Sequence, residues 1–303
     1  MTSLQFVTAD VFTRTRFGGN PVAVFPECPP LADDLLQAIA RELNLSETVF
    51  VFPPRDSRHT RRVRIFTPAR ELAFAGHPTI GCAIILAEMG HLGAIGAAAE
   101  IVLEEGAGPV PVRLERRGEG LFATLTAPRL PSAMGAKFCG ADLAPMIGLK
   151  VEDLAEGVPL GRYDSGGPKF QFIPVRDGHA LARAVLDVAL WRQLLSQDAA
   201  QEVYVLTMED WNGGREVRAR MFGPSVGVVE DPATGSAAAA LARFLAEVQR
   251  PAEPSRAWTV HQGREMGRPS LLALRAEFEG RELAKVEVGG AAILQAEGHF
   301  LAL

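Results

Sequence analysis

Short apolar runs rich in Val, Ile and Phe punctuate this chain, and between them lie longer stretches in which apolar positions return with helical spacing. The short runs predict strands over 22–25, 48–52, 63–66, 110–114 and 121–125, and again over 170–175, 203–207, 217–222 and 270–278. The helical periods predict helices over 31–43, 78–89, 141–148, 182–196 and 232–248. Many strands joined by tight turns, with few helices, point to an α+β chain. Its sheet is expected to be mostly antiparallel and wrapped on a helix, unlike an alternating parallel wind.

The pattern occurs twice. Arg64-Ile-Phe66-Thr-Pro68 is followed by His77-Pro78-Thr-Ile-Gly81-Cys82-Ala83, and Arg220-Met-Phe222-Gly-Pro224 by Asp231-Pro232-Ala-Thr-Gly235-Ser236-Ala237. Weaker echoes pair Gly18-Gly19-Asn20-Pro21 with Gly166-Gly167-Pro168, and Glu47-Thr-Val-Phe-Val with Glu202-Val-Tyr-Val. The copies are too far apart for a solenoid, so one lobe was duplicated. A stretch rich in Pro and small residues near 127–135 marks the boundary. The expected lobes are 1–128 with a tail of about 288–303, and 129–287, which suits a chain of 303 residues.

In each copy a Pro stands where a helix should begin. Asp is a preferred cap and Pro a preferred first helical residue, so Asp231 and His77 are both expected at helix entrances. Amides of a first helical turn lack intrahelical partners, and together with the helix dipole they favour an anion. Each half alone is an ordinary cap or turn; the repetition is what predicts two entrances facing one pocket. Gly81 and Gly235 then fit either close ligand approach or tight helix packing. Glu47, at the start of an apolar strand, is a candidate acid/base group.

Composition excludes several classes. The chain is 48% hydrophobic and 22% charged, with a net charge of −5. Such a balance gives no pull toward nucleic acid or an anionic membrane. The longest apolar stretch, 237–248, is broken by Arg243 and Glu247. The first residues show no charged region followed by an apolar run and a small-residue cleavage site, so no secretory leader is expected. Cys28, Cys82 and Cys139 form no CxxC, which suits a reduced, cytoplasmic protein. The histidines form no HxxxH or Cys/His cluster, so no metal is expected. Gly106-Ala-Gly108 is too short for a dinucleotide fingerprint, and Thr-Gly-Ser236-Ala lacks the second glycine of a nucleophile elbow. The arginines of 58–64 read as a solvated strand edge.

Taken together, Gly19-Asn20-Pro21, Asn44-Leu-Ser46-Glu47-Thr, Phe66-Thr-Pro68, Gly76-His77-Pro78-Thr79, Glu230-Asp231-Pro232-Ala-Thr-Gly235-Ser236 and Gln262-Gly-x-x-x-Gly267-Arg-Pro-Ser270 resemble the PhzF-like phenazine-biosynthesis family, from residue 6 nearly to the C-terminus. The resemblance implies a fold like that of diaminopimelate epimerase: two pseudo-symmetric lobes, each a mostly antiparallel sheet curled around a central α-helix. It implies an isomerase that uses no cofactor and moves a proton within a small carboxylated substrate, as in trans-2,3-dihydro-3-hydroxyanthranilate isomerisation. Glu47 is then the proton shuttle. His77 and Asp231 complete the catalytic set. Ser46, Gly76, Gly235 and Ser236 contact substrate. A homodimer is expected. The epimerases of this fold carry a cysteine at each helix entrance. Here those positions hold His77 and Asp231, which argues against a thiol base, and Cys82 reads as packing. The rival readings are an isomerase of another amino or hydroxy acid, and a binding protein that kept the fold without the chemistry.

Overall fold

The computed structural model describes residues 3–118 and 120–301. Its fold is mixed, with seventeen strands and six α-helices among those residues. By its contacts the chain forms two compact units, Met1–Pro128 with Val288–Leu303, and Arg129–Glu287. The first unit contains β1 (Leu4–Val11), β2 (Asn20–Phe25), α1 (Asp33–Leu43), β3 (Glu47–Phe52), β4 (Arg61–Phe66), β5 (Glu71–Leu72), α2 (Gly76–Glu88), β6 (Ala98–Glu105), β7 (Gly108–Arg117) and β8 (Gly120–Thr126). The second contains β9 (Ser132–Ala133), α3 (Gly140–Met146), β10 (Gly161–Asp164), β11 (Lys169–Pro174), α4 (Gly178–Arg183), α5 (Val188–Leu194), β12 (Glu202–Thr207), β13 (Glu216–Gly223), β14 (Val228–Asp231), α6 (Gly235–Gln249), β15 (Ser255–Gln262) and β16 (Ser270–Glu279). The long last strand, β17 (Glu282–Phe300), begins in the second unit and ends in the first.

In the first unit β2 and β3 run parallel around the α1 crossover, and β4 turns back against β3. Helix α2 then carries the chain to β6, which is parallel to β4. Strands β7 and β8 follow as antiparallel ribbons, and β17 pairs with β8 and with β1, which pairs with β2. Eight strands thereby close into a barrel-like sheet. Helix α2 is apolar all round and buried from Gly76 to Leu86, as a core helix must be. It packs on β1, β2, β3, β7 and β8. Gly81 is where it comes nearest: a Cβ there would lie 2.7 Å from Val11 Cγ2 and 2.8 Å from Val22 Cγ1. Of the two uses expected for this glycine, close packing is the one observed. Helix α1 is instead one-sided. It sets Leu36 and Ile39 on Phe25, Phe50 and Phe66, whose rings meet stacked at 4.8 Å and edge-on at 5.5 Å.

The second unit repeats the succession. Parallel β11 and β12 flank α4 and α5, β13 turns back, α6 follows, and β15 runs parallel to β13 before antiparallel β16. Helix α6 is buried from Gly235 to Ala242 and packs on β10, β11 and β16. The helix expected over 182–196 is broken. Val185 and Asp187 donate their amides to Ile147 and Met146 instead of to the preceding turn, and the Asp187 carboxylate caps α5 through the amides of Ala189 and Leu190. Strand β4 is not the solvated edge expected from its arginines. It lies between β3 and β6, with Arg62 over the Phe52 ring at 4.5 Å and Arg64 held by two acids. Among the described residues no helix is long and apolar enough to cross a membrane.

Candidate functional site

Helix α1 ends at Asn44 in the left-handed conformation, φ 50°. Three residues later, past the bend at Ser46, Glu47 opens β3 beside Val22 of β2. His77 is the second residue of α2, directly after Gly76. The fold brings these together: Glu47 Oε2 lies 3.1 Å from His77 Nε2, with the imidazole almost fully buried. The Pro21 carbonyl accepts a hydrogen bond from the other ring nitrogen. Burial holds the His77 pKa down to about 3, with the Pro21 carbonyl opposing it, so the ring is neutral at physiological pH. With Nδ1–H donating to Pro21, the tautomer assigned by these partners leaves a lone pair on Nε2. The Glu47 carboxyl oxygen faces that lone pair across 3.1 Å, which places a candidate acid/base group beside a neutral imidazole.

The Gly18-Gly19-Asn20-Pro21 turn supplies the carbonyl. Gly19 has φ +62°, and a Cβ there would sit 2.2 Å from the Val11 carbonyl oxygen. Only glycine fits, and the turn it makes sets Pro21 opposite Asp10 in the β1–β2 ladder.

In the second unit Asp231 ends β14 and does not cap the helix. The N-cap of α6 is Thr234, and Pro232 lies outside the helix. Thr234 donates its hydroxyl to Asp231 Oδ2 at 2.5 Å. Gln262, at the end of β15, donates to the Asp231 carbonyl at 2.8 Å and to Thr234 Oγ1 at 3.0 Å, and accepts from the Thr234 amide at 3.3 Å. These bonds hold Thr234 extended, so α6 starts later than the repeat implies. Gly263 follows Gln262 at φ +76°, where a Cβ would meet the Pro232 carbonyl oxygen at 2.6 Å. Gly235 and Ser236 open α6, both buried. Thr234 and the bracing role of Gln262 were not foreseen; the Gln-Gly pair at a strand end was their only signal.

Helices α2 and α6 begin without a side-chain cap and without an acid in the first turn. The other four begin with carboxylates: Asp33 and Asp34, Asp142, Asp177 and Asp187. Only the two buried helices leave the positive end of the dipole unanswered, a setting suited to an anion. The amides concerned are those of Gly76 and His77, since Pro78 has none and Thr79 bonds back to Ala75, and those opening α6.

The repeated Arg-x-Phe-x-Pro is structural. Arg64 grips Glu71 with two bonds of 2.7 Å, and Arg220 grips Glu230 with two of 2.8 Å. Each guanidinium lies over the next Phe ring, at 5.1 Å and 5.0 Å. Register also shows what stands opposite Glu47 in the second copy. Thr48 pairs with Phe66 as Val203 pairs with Phe222, so Glu202 occupies the Glu47 position. There it is buried and accepts a hydrogen bond from the Ser225 hydroxyl. Cys82 is wholly buried inside α2, and burial pushes its thiol far up, so it packs and does not ionise. Among the described residues no three His, Cys, Asp or Glu side chains gather as a metal site.

Residues 9–298 match the model of a family described as phenazine biosynthesis-like protein. An uncharacterized isomerase of Mesorhizobium japonicum is 38% identical over 98% of this chain and 99% of that protein. The trans-2,3-dihydro-3-hydroxyanthranilate isomerase of Pseudomonas aeruginosa is 37% identical over 97% of this chain and 98% of its own. The crystal structure of a PhzF-family phenazine biosynthesis protein from Bacillus anthracis superimposes with a TM-score of 0.88 over all of both chains at 23% identity, which bears on the fold.

Proposed function

This chain belongs to the phenazine biosynthesis-like protein family, and we propose that it is an isomerase of that family acting on a small cyclic substrate with a carboxylate, of the trans-2,3-dihydro-3-hydroxyanthranilate class. The single observation that supports the chemistry is the 3.1 Å approach of the Glu47 carboxyl to the buried, neutral imidazole of His77. Glu47, as the carboxylate, takes a proton from one ring carbon and, now a carboxylic acid, returns it to another; neutral His77 beside it keeps the carboxyl group in register. Asp231, oriented by Thr234, binds the substrate's amino or hydroxyl group. Amides of the uncapped helix entrances, with Gly76, Gly235 and Ser236, hold its carboxylate, and Ser46 lines the approach to Glu47. This chemistry asks for no cofactor. The fuller architecture that suits it is two pseudo-symmetric lobes, each with its sheet curled around α2 or α6. The reading takes the protein to be a cytoplasmic homodimer.

The test is deuterium incorporation into trans-2,3-dihydro-3-hydroxyanthranilate in heavy water, followed by NMR. Wild type should exchange and isomerise it. Glu47→Gln should lose about 10²–10⁴-fold in rate while still binding. Exchange at the wild-type rate in Glu47→Gln would remove Glu47 from the mechanism.

A further inference from the structure

Beneath the entrance of α2 lies a carboxyl group that the proposed reaction does not use. Glu105 ends β6 and is buried. Its Oε1 lies 2.6 Å from Thr79 Oγ1, and the same Thr79 hydroxyl lies 2.7 Å from the Ala75 carbonyl oxygen. The Ala75 amide faces the carboxyl as well. Thr79 has one hydroxyl proton for two oxygen partners. The carbonyl can only accept, so the linear arrangement that satisfies both contacts runs from Glu105 to Thr79 to Ala75, with Glu105 as donor. These partners enclose His77, two residues from each.

The second unit supplies an independent comparison. Arg61, three residues before Arg64, pairs with Leu103. Val217, three before Arg220, pairs with Val260. Two residues further along, Glu105 and Gln262 are therefore the same position. Both brace the segment leading into a buried helix, and both precede a glycine that the segment crowds: a Cβ on Gly106 would lie 2.9 Å from Ala73 Cα, as one on Gly263 would meet Pro232. In one copy the brace is an amide that is neutral at every pH.

We infer that Glu105 is a positioning residue that acts in its protonated form, an acid doing the work of an amide, holding the first turn of α2 so that His77 meets Glu47. The importance of the turn to the reaction rests on the function proposed above; the protonation does not. Burial, opposed by Thr79 and Ala75, pushes the Glu105 carboxyl up to about 8. The charged and titratable groups around it are few. Cys82 on α2 feels its charge and stays a thiol, with Arg61 of β4 opposing. Across β6, Glu104 is turned to His59 and to the amides of Arg55 and Asp56.

The test is urea unfolding of the whole chain, wild type against Glu105→Gln, from pH 5 to pH 9. A carboxyl protonated only in the folded state makes the folding constant fall tenfold per pH unit. Its folded pKa is raised, so this stabilisation is complete below the unfolded value near 4.5 and is lost up to about 8. The variant-to-wild-type ratio of folding constants should rise tenfold per unit across that window and level off above it. A ratio independent of pH overturns the inference. Nitrogen-15 NMR of the His77 ring adds a readout that simple loss of stability does not move: above pH 8 its signal should shift in wild type and hold still in Glu105→Gln. Matching shifts in both proteins also overturn it. Failure to turn over trans-2,3-dihydro-3-hydroxyanthranilate would count against the proposed function and leave both of these readouts standing.

Discussion

The duplicated Arg-x-Phe-x-Pro motif allows one substitution to be made twice in the same protein, at equivalent positions with different burial. Arg220 is almost fully enclosed. Beyond its two bonds to Glu230, it donates to the carbonyls of Leu181, Ala182 and Ala184, the open end of α4. Its partner Glu230 is itself only 14% exposed. Arg220→Met leaves a buried carboxylate and several carbonyls unanswered, and breaking such a pair costs about 3–5 kcal/mol. Arg64 is 19% exposed, but its partners Glu71 and Asp33 are 42% and 80% exposed. Water replaces the arginine for both acids, and two exposed pairs are worth about 0.5–2 kcal/mol together. Both residues lose the same contact with a Phe ring, so that contribution cancels between them. Urea denaturation followed by circular dichroism should place the Arg220→Met midpoint well below that of Arg64→Met. Replacing Glu230 by Met as well should recover much of the loss, because an apolar pair strands no charge. Equal costs for the two arginines, or a larger one for Arg64, would show that burial does not set the strength of this motif.

Gly81→Ala sets two effects against each other. Helix propensity favours Ala by about 1 kcal/mol, while Cβ contacts of 2.7 and 2.8 Å with Val11 and Val22 call for overpacking of about 1–3 kcal/mol; net destabilisation in urea is expected, and a more stable variant would show that α2 is loosely seated. The depressed pKa of His77 makes stability complete above pH 6.5 and lost as pH falls toward about 3. Acid titration of His77→Asn should therefore lack a destabilising phase that wild type shows in that window.

The frame was legible in the sequence where the chemistry is local and repeated. Val22–Phe25 and Thr48–Phe52 are apolar runs that can only be buried strands, and the Pro-headed Ala run announced α6. What stayed hidden depended on distant partners. The strand β15 carries Arg256 and Gln262 on its buried side, so its alternation is invisible to a count of apolar residues; both are buried because Glu253 with the Gly213 carbonyl, and the Asp231–Thr234 turn, receive them. The break between α4 and α5 rests on carbonyls of 146–147, far off in sequence. Glu47 and His77 were each nameable from their motifs. That the His77 ring turns its other nitrogen to Glu47 depends on the Pro21 carbonyl, which nothing in either motif announces.

The two copies share register but not polar content, and the differences all point the same way. At the first strand position, Glu47 meets a neutral imidazole while Glu202 is tied to Ser225. At the helix entrance, His77 stands where the other copy has Asp231. Beneath the entrance, a carboxyl answers an amide. Duplication gives both copies the same backbone, since the parallel crossovers and the Arg–Glu clamps recur in each, and burial then fixes what each polar position can do. Glu202 is held by a serine hydroxyl in the second copy, whereas Glu47 lies 3.1 Å from a neutral imidazole in the first. In the function proposed above, the first copy supplies the proton-handling carboxyl and the second the binding groups. That difference suits the proposed reaction, in which one carboxyl removes a proton and redelivers it, and it suits a thiol pair poorly, because the helix-entrance positions hold His77 and Asp231 in place of cysteines.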